Sequence, residues 1–410
     1  MRGIDSPTVA AAEARLQTLS ELLDRYRPLW QERSFHRLQP EWGRQWPELL
    51  AALDALPLAT AEALQQRPGA AARWLQPWLA EAATLHSLCR LPAAAGTRPL
   101  AERLARDMPG RKRRQVEAFA GALEDRGRPL LEWCAGKGHL SRGLSAGLGR
   151  RSVIGLEQQQ ELVDEGNRLA HRDGLPVQLH RCDVLGEEAA RWLEPAQQVV
   201  ALHACGDLHR RLLVLGSAHE VAALAWSPCC YHRTTQSRYR PLSRAAARVD
   251  LGLSRDALRT AVQETVTAGR GQRQRRRRLQ QWRLGFDLLQ RELRGVDDYL
   301  PVPSLPARLA DTSFRHFCQH VAALNSLPLP PGIDWEQYRR GGERRFAQVT
   351  ARDLVRMLFR RPLELWLLLD QQLFMAEQGY ATTMASFCSR SLTPRNVLLQ
   401  AWRPGPGESL

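Results

Sequence analysis

Glu132-Trp133-Cys134-Ala135-Gly136-Lys137-Gly138-His139-Leu140-Ser141 is the stretch that decides how this chain is read. The apolar run PLLEWCA (129–135) has the composition of a strand, and two glycines then open a helical stretch over 140–148. Glycine at such a turn lets the backbone approach a ligand that a Cβ would push away. A G-x-G pair also serves purely structural strand-to-helix turns, so its meaning rests on what surrounds it.

Downstream, SVIGLE (152–157), VQLHRCDV (177–184), VVALHAC (199–205) and VAALAWSPCC (221–230) read as four more strands. Helical stretches at 158–172, 187–193 and 208–218 separate them. Strict alternation predicts a parallel sheet covered on both faces, with ligands bound beyond the carboxyl ends of its strands. After Arg233 the alternation gives way to about 145 residues of mostly helical pattern, broken by YLPVPSLP (299–306) and NSLPLPPG (325–332). Strand texture returns in ATTMASFC (381–388) and NVLLQAWR (396–403), which would complete a seven-stranded sheet.

Upstream, Leu16, Leu19, Leu22, Leu23, Tyr26, Leu29 and Trp30 recur at helical spacing, predicting one amphipathic helix from residue 10 to about 35. Ala/Leu/Trp-rich segments interrupted by Pro57, Pro68 and Pro77 follow, with no catalytic motif. The expected organisation is a helical N-terminal region (1–125), a core holding the first five strands (126–235), a helical insertion (236–379) and the last two strands (380–410).

Composition sets the outer limits. A chain of 410 residues, 44% hydrophobic and with twelve Trp, buries a real core, which excludes a disordered chain and a small disulfide scaffold. The richest apolar run (363–374) contains Glu364 and Asp370, so no membrane span is expected. The first residues, MRGIDSPTVAAAEARL, lack the apolar core of a secretory signal, and the eight cysteines are expected as reduced thiols in a cytoplasm.

Net charge is +15, and all but Lys112 and Lys137 of the 58 basic residues are arginine. Coding bias swaps Lys for Arg, but it does not create an excess of 58 bases over 43 acids. The field therefore points to a polyanionic partner, the other reading being a merely basic soluble enzyme. Arg270, Arg273, Arg275, Arg276, Arg277 and Arg278 form the densest run, with a second cluster over 111–114. Guanidinium groups suit phosphates, and the few aromatics nearby, Trp282 and Phe286, favour backbone contact over base stacking. A solvated helix or loop is the plainer alternative.

Two acids give the glycine loop its context. Glu157 ends the second strand, where a carboxylate accepts both hydroxyls of an adenosine ribose, and Asp183 ends the third, placed for an adenine amino group. Taken singly, they also read as a solvated strand-end acid and a helix N-cap. A dinucleotide fold would want a third glycine where Ser141 stands.

Together, Glu132 to Ser141, Glu157 and Asp183 resemble the nucleoside-binding half of class I S-adenosylmethionine-dependent methyltransferases, with Cys134 in place of the usual first glycine. AGKGHLS, HACGDL (203–208), SPCCYHR (227–233) and LTPRN (392–396) resemble a narrower group, formerly described as rRNA adenine dimethylase-like. That group is related to tRNA acceptor-stem 2′-O-methyltransferases with H-x-C-G and C-C-x-H signatures. The resemblance covers 128–233 and the last thirty residues. It implies an α/β fold, the seven-stranded doubly wound sheet of class I methyltransferases, and S-adenosylmethionine as cofactor. It also implies a cofactor site at Glu132, Cys134, Gly136, Lys137, Gly138, Leu140, Glu157, Asp183 and His203.

His203, Cys205 and Asp207 follow the fourth strand and Cys229, Cys230, Tyr231 and His232 the fifth, so neighbouring strand ends bring them to one rim. They suit the orienting or deprotonation of a methyl acceptor, with Asp207, His203 and His232 as base or orienter. Buried cysteines and a helix-capping Asp207 are the structural alternative. The spacing lacks a C-x₂₋₄-C knuckle, so no metal is expected. Cytosine-5 methyltransferases carry cysteines after the same strands, whereas the H-x-C-G and C-C-x-H resemblance implies transfer to oxygen. The expected activity is methyl transfer to a heteroatom of RNA. Its rivals are a protein or small-molecule methyltransferase and a non-catalytic RNA-binding protein on this fold.

Overall fold

Seven strands form one sheet: β1 (Leu130–Trp133), β2 (Val153–Glu157), β3 (Val177–Arg181), β4 (Gln198–Cys205), β5 (Ala223–Cys229), β6 (Ala381–Ser386) and β7 (Val397–Trp402). Their order is β3-β2-β1-β4-β5-β7-β6. The first five are parallel, and β7 runs antiparallel to both β5 and β6. This is the seven-stranded sheet that the resemblance to class I methyltransferases implies. The computed structural model describes residues 7–94, 96–149, 151–264, 270–303 and 305–405.

Helices His139–Gly147, Gln160–Arg172 and Asp207–Ala218 follow β1, β2 and β4, and a single 3₁₀ stretch, Glu187–Trp192, follows β3. Strand order reverses between β1 and β4, opening the crevice at their carboxyl ends where such folds bind ligands. Every residue of β1 and β5 is buried, as expected of central parallel strands packed on both faces.

The apolar run over 363–374 lies in the helix Arg360–Glu377, where its acids are buried and paired. Asp370 accepts from the Tyr239 hydroxyl at 2.6 Å and from the Ser243 amide at 2.7 Å, and Glu364 pairs with Arg360 and Arg361. A carboxylate so enclosed is tolerable because its lone pairs are occupied. Among the described residues no helix is long and apolar enough to cross a membrane.

The chain divides into two compact units that do not follow the four segments expected from sequence. One comprises residues 1–24, 88–264 and 360–410 and holds the sheet; the other joins 25–87 to 265–359. The N-terminal region is thus shared between them, because helices such as Leu58–Gln66 pack on the long helix Trp335–Leu358. In that second unit Phe35 and Leu58 join Leu284, Phe346 and Val349 in one apolar cluster. The single helix expected from residue 10 to about 35 is two, Pro7–Arg25 and Arg27–Gln31. Pro28, which has no N–H to donate, opens the second.

Candidate active site

The glycine loop is held in left-handed backbone at Cys134, Gly136 and Gly138, with φ of 62°, 59° and 63°. Cys134 therefore follows the path of the glycine usual at its position in spite of its Cβ. A Cβ added to Gly138 would come within 3.2 Å of Leu179, whereas one on Gly136 would meet nothing within 4 Å, so the loop is open at Gly136. Glu157 latches the end of β2 to this loop: its carboxylate accepts the Gly136 amide at 2.9 Å and the Gln159 amide at 3.1 Å.

Glu132 is buried and accepts from both the amide and the hydroxyl of Ser141. Burial pushes its carboxyl up to about 7, while the Ser141 hydrogen bonds and the Lys112 charge pull the other way. Asp183 accepts the Leu185 amide at 3.0 Å and so closes a turn; the 3₁₀ stretch beyond has Gly186 at its N-cap and no side-chain cap, so Asp183 is not the helix N-cap of the alternative reading. Lys137 is exposed on the loop. The side chain of Leu140 is buried in the core cluster, turned inward by the apolar face of its helix.

The rim is built by an irregularity in β4. Pairing with β5 shifts between Leu202 and Cys205, and His203 takes a φ of 66°. The bulge re-registers the strand end so that Cys205 pairs with Cys229. It also turns the His203 carbonyl to face both thiols, at 3.5 Å from Cys205 and 3.4 Å from Cys229. The sulfurs of Cys205 and Cys229 lie 3.2 Å apart, and those of Cys205, Cys229 and Cys230 all fall within 4.8 Å of one another. Hydrogen bonds from its two neighbours, aided by Arg395 and His232, hold the Cys230 thiol below its usual pKa, while hydrogen bonds to Cys205 and Cys230, then burial, raise that of Cys229.

His203 Nε2 lies 3.2 Å from Gln115 Oε1, and Nδ1 is buried without a partner among the described residues. Burial, then the positive charges of Lys112 and Arg395, depress its pKa to about 3, so the ring is neutral. An amide oxygen only accepts, which puts the proton on Nε2 and leaves Nδ1 as an acceptor. Asp207 instead accepts the Thr235 amide at 2.9 Å, fastening the loop after β5. Tyr231 is buried edge-on to His209, its hydroxyl unpartnered among the described residues, and its pKa is raised by burial. His232 has a pKa lowered by burial and an equally unpartnered Nδ1.

Sequence reasoning missed three residues at this rim: Lys112, Gln115 and Arg395. Lys112, its pKa lowered by burial, lies close to the Glu132 carboxyl and the Cys229 thiol. Arg395 lies in LTPRN, a segment closed over the site by contacts from Arg111 and Gln115 to the Leu392 carbonyl at 2.8 and 3.5 Å. The family resemblance of LTPRN was the one signal that pointed to it.

The two arginine clusters fare differently from expectation. The cluster over 111–114 is dispersed by helical geometry: Lys112 is drawn in, while Arg113 is spent on Glu102 and Glu117. In the other unit the second run lies on the helix Arg270–Arg294. There Arg275 pairs with Asp311, Arg277 with Glu62, and Arg278 donates to the Ala310 carbonyl. Arg273 and Arg276 are exposed without a partner among the described residues, and the side chain of Arg270 lies outside them.

Residues 111–237 match a family described as a methyltransferase domain, a span that begins at the helix carrying Lys112 and ends just past the rim. A methyltransferase domain on this fold draws its methyl group from S-adenosylmethionine. The residues present fit that group: an open glycine cradle at Gly136, a carboxylate latched beside it, and a second acid after β3.

Solved structures similar to the chain include an O-methyltransferase family protein from Burkholderia thailandensis, 13% identical over 83% of this chain and 72% of that one, with a TM-score of 0.30. Another is coclaurine N-methyltransferase bound to N-methylheliamine and SAH, 16% identical over 45% and 62%, with a TM-score of 0.25. A third is the bifunctional kinase-methyltransferase WbdD, 18% identical over 35% and 34%, with a TM-score of 0.23. The chain thus spans about a third of the length of the WbdD structures it matches.

Proposed function

We propose that this protein is an S-adenosylmethionine-dependent methyltransferase that methylates a heteroatom of RNA. The observation that carries this reading is His203: a neutral imidazole with an unpartnered Nδ1, on a rim whose charged neighbours are mostly basic. Lys112, Arg395 and Arg111 bear on His203, and Arg259, Arg233 and Arg395 on His232. An acceptor flanked by phosphates is favoured in such a field, and the overall charge of +15 acts in the same direction.

In this reading Gly136, Gly138 and the Glu157 latch seat the adenosine end of the cofactor, with Asp183 toward the adenine. His203 Nδ1 accepts a hydrogen bond from the attacking group and fixes its line toward the methyl carbon; Gln115 holds the ring in the tautomer that does so. Asp207 holds the Thr234–Thr235 loop and acts as a positioning residue. The cofactor supplies an activated methyl group and needs no metal to do so.

Transfer of labelled methyl from S-adenosylmethionine to RNA, protein and small-molecule fractions tests the reading. Label in RNA is expected. Label confined to protein or small molecules overturns the acceptor, and cofactor binding without any transfer favours a non-catalytic RNA-binding protein.

A further inference from the structure

The three converging thiols remain unused by that chemistry. Tetrahedral zinc–thiolate sites have Zn–S bonds of about 2.3 Å, which places their sulfurs about 3.8 Å apart. The Cys205 and Cys229 sulfurs, 3.2 Å apart, lie somewhat inside this spacing, and that of Cys230 is within 4.8 Å of both. Three features make the cluster a built one. The β4 bulge brings Cys205 opposite Cys229. Cys230 takes a φ of 45°, a conformation costly for a residue with a Cβ. Close to the sulfurs, Nδ1 of His232 is buried without a partner among the described residues. Buried polar atoms left so are uncommon, and this one lies two residues beyond Cys230.

We propose that Cys205, Cys229 and Cys230 bind one thiophilic divalent cation of the zinc type, with the fourth position left to a ligand from solvent. The usual sequence knuckle is absent because the ligands come from two adjacent parallel strand ends rather than one turn. The cation would tie the ends of β4 and β5 together and so fix the rim on which His203 sits. Each sulfur binds as thiolate, so loading releases its proton to solvent. Cysteines engaged in this way are ligands and not nucleophiles, and the site stands whether or not the acceptor is RNA.

The full chain, reduced and stripped of metal under anaerobic conditions, is titrated with Co²⁺ and then Zn²⁺. One Co²⁺ per chain is expected, with thiolate charge-transfer absorption and the intense visible bands of tetrahedral cobalt, both erased by one equivalent of Zn²⁺. Cys205→Ser, Cys229→Ser and Cys230→Ser should each weaken binding by at least about 100-fold, since losing a ligand costs more than the 10–100-fold typical of outer-shell partners. Cys182→Ser and Cys318→Ser should not change it. Should a variant fail to fold, alkylation of the wild type mapped by mass spectrometry replaces it: Zn²⁺ should protect residues 205, 229 and 230 together. Absence of the charge-transfer band, protection that omits these three, or a Cys205–Cys229 disulfide persisting in the reduced protein would overturn the proposal.

Discussion

Glu132 and Ser141 are joined twice, by the Ser141 amide at 2.8 Å and by its hydroxyl, so that the carboxylate at the end of β1 grips the first turn of the helix beyond the glycine loop. A glycine at 141, as dinucleotide folds prefer, would supply only the amide. The residue that departs from that pattern is therefore the one that satisfies a buried acid.

This enclosure has a pH signature. The Glu132 carboxyl is raised from 4.5 to about 7 by burial, so the folded state holds its proton more tightly than the unfolded chain. The stability it confers is full below pH 4.5 and is lost as pH rises through about 7, to a total of roughly 3 kcal/mol. Urea denaturation of Glu132→Gln across this range should show the slope removed; an unchanged slope would place the titration elsewhere.

Gly206 has φ 55° and ψ −120°, and an added Cβ would lie 1.7 Å from the Arg233 carbonyl oxygen. Two hydrogen bonds, Gly206 N to Cys229 O at 3.1 Å and Asp207 N to Arg233 O at 3.0 Å, depend on that approach. Gly206→Ala should cost on the order of 3–5 kcal/mol of stability, since backbone has to move. A loss under about 1 kcal/mol, within the range of ordinary surface changes, would mean that the two strand ends do not close as described.

Lys112 has burial, the nearby carboxyl of Glu132 and no hydrogen-bond partner among the described residues. It is suited to the carboxylate at the methionine end of the cofactor. Lys112→Met should weaken binding of S-adenosylmethionine by about 1.5–3 kcal/mol, as for a lost charged hydrogen bond, while 5′-methylthioadenosine, which lacks that carboxylate, binds as before. Equal losses for both ligands would show a general disturbance of the pocket. Glu157→Ala should do the converse and weaken both, by a similar amount, in calorimetry.

With His203 already neutral down to about pH 3, its ionisation should leave no inflection near pH 6.5 in kcat/KM. His203→Ala should lower kcat with little change in cofactor affinity. A His-like inflection that disappears in this variant would mean the ring is more exposed to solvent during turnover.

In the other unit, Arg273 and Arg276 have, among the described residues, none of the acidic or carbonyl partners of Arg275, Arg277 and Arg278. If they meet phosphates of single-stranded RNA, Arg273→Gln and Arg276→Gln should each flatten the salt dependence of binding by about 0.7. An unchanged slope would assign the run to a solvated helix.

All seven strands could be read from sequence because each carries its own signal, a short apolar run bounded by turn residues. NVLLQAWR, for instance, yields β7 to within a residue or so at each end. The rim could be read in part for the same reason: HACGDL and SPCCYHR sit at strand ends whatever the rest of the chain does. Lys112 and Gln115 could not, and Arg395 only through the resemblance of LTPRN, because the helix of the first two meets the segment of the third across nearly 300 residues of chain. The bulge at His203 was equally hidden, since VVALHAC alternates no differently from a regular strand. The joining of 25–87 with 265–359 leaves no local mark, because an amphipathic helix shows which face it buries and not against what.

The position of β7 bears on how the chain reaches this state. β7 lies between β5 and β6, so the outer edge of β5 has no strand beside it until residues 381–402 have been made. That edge belongs to a fully buried strand, ALAWSPC, which in the meantime presents unpaired amides and carbonyls flanked by apolar side chains. More than 150 residues of the second half must therefore emerge while the first five strands wait with an adhesive border, and closing the sheet depends on a contact far apart in sequence. Truncation before β7 should convert a soluble nascent core into one that self-associates through β5.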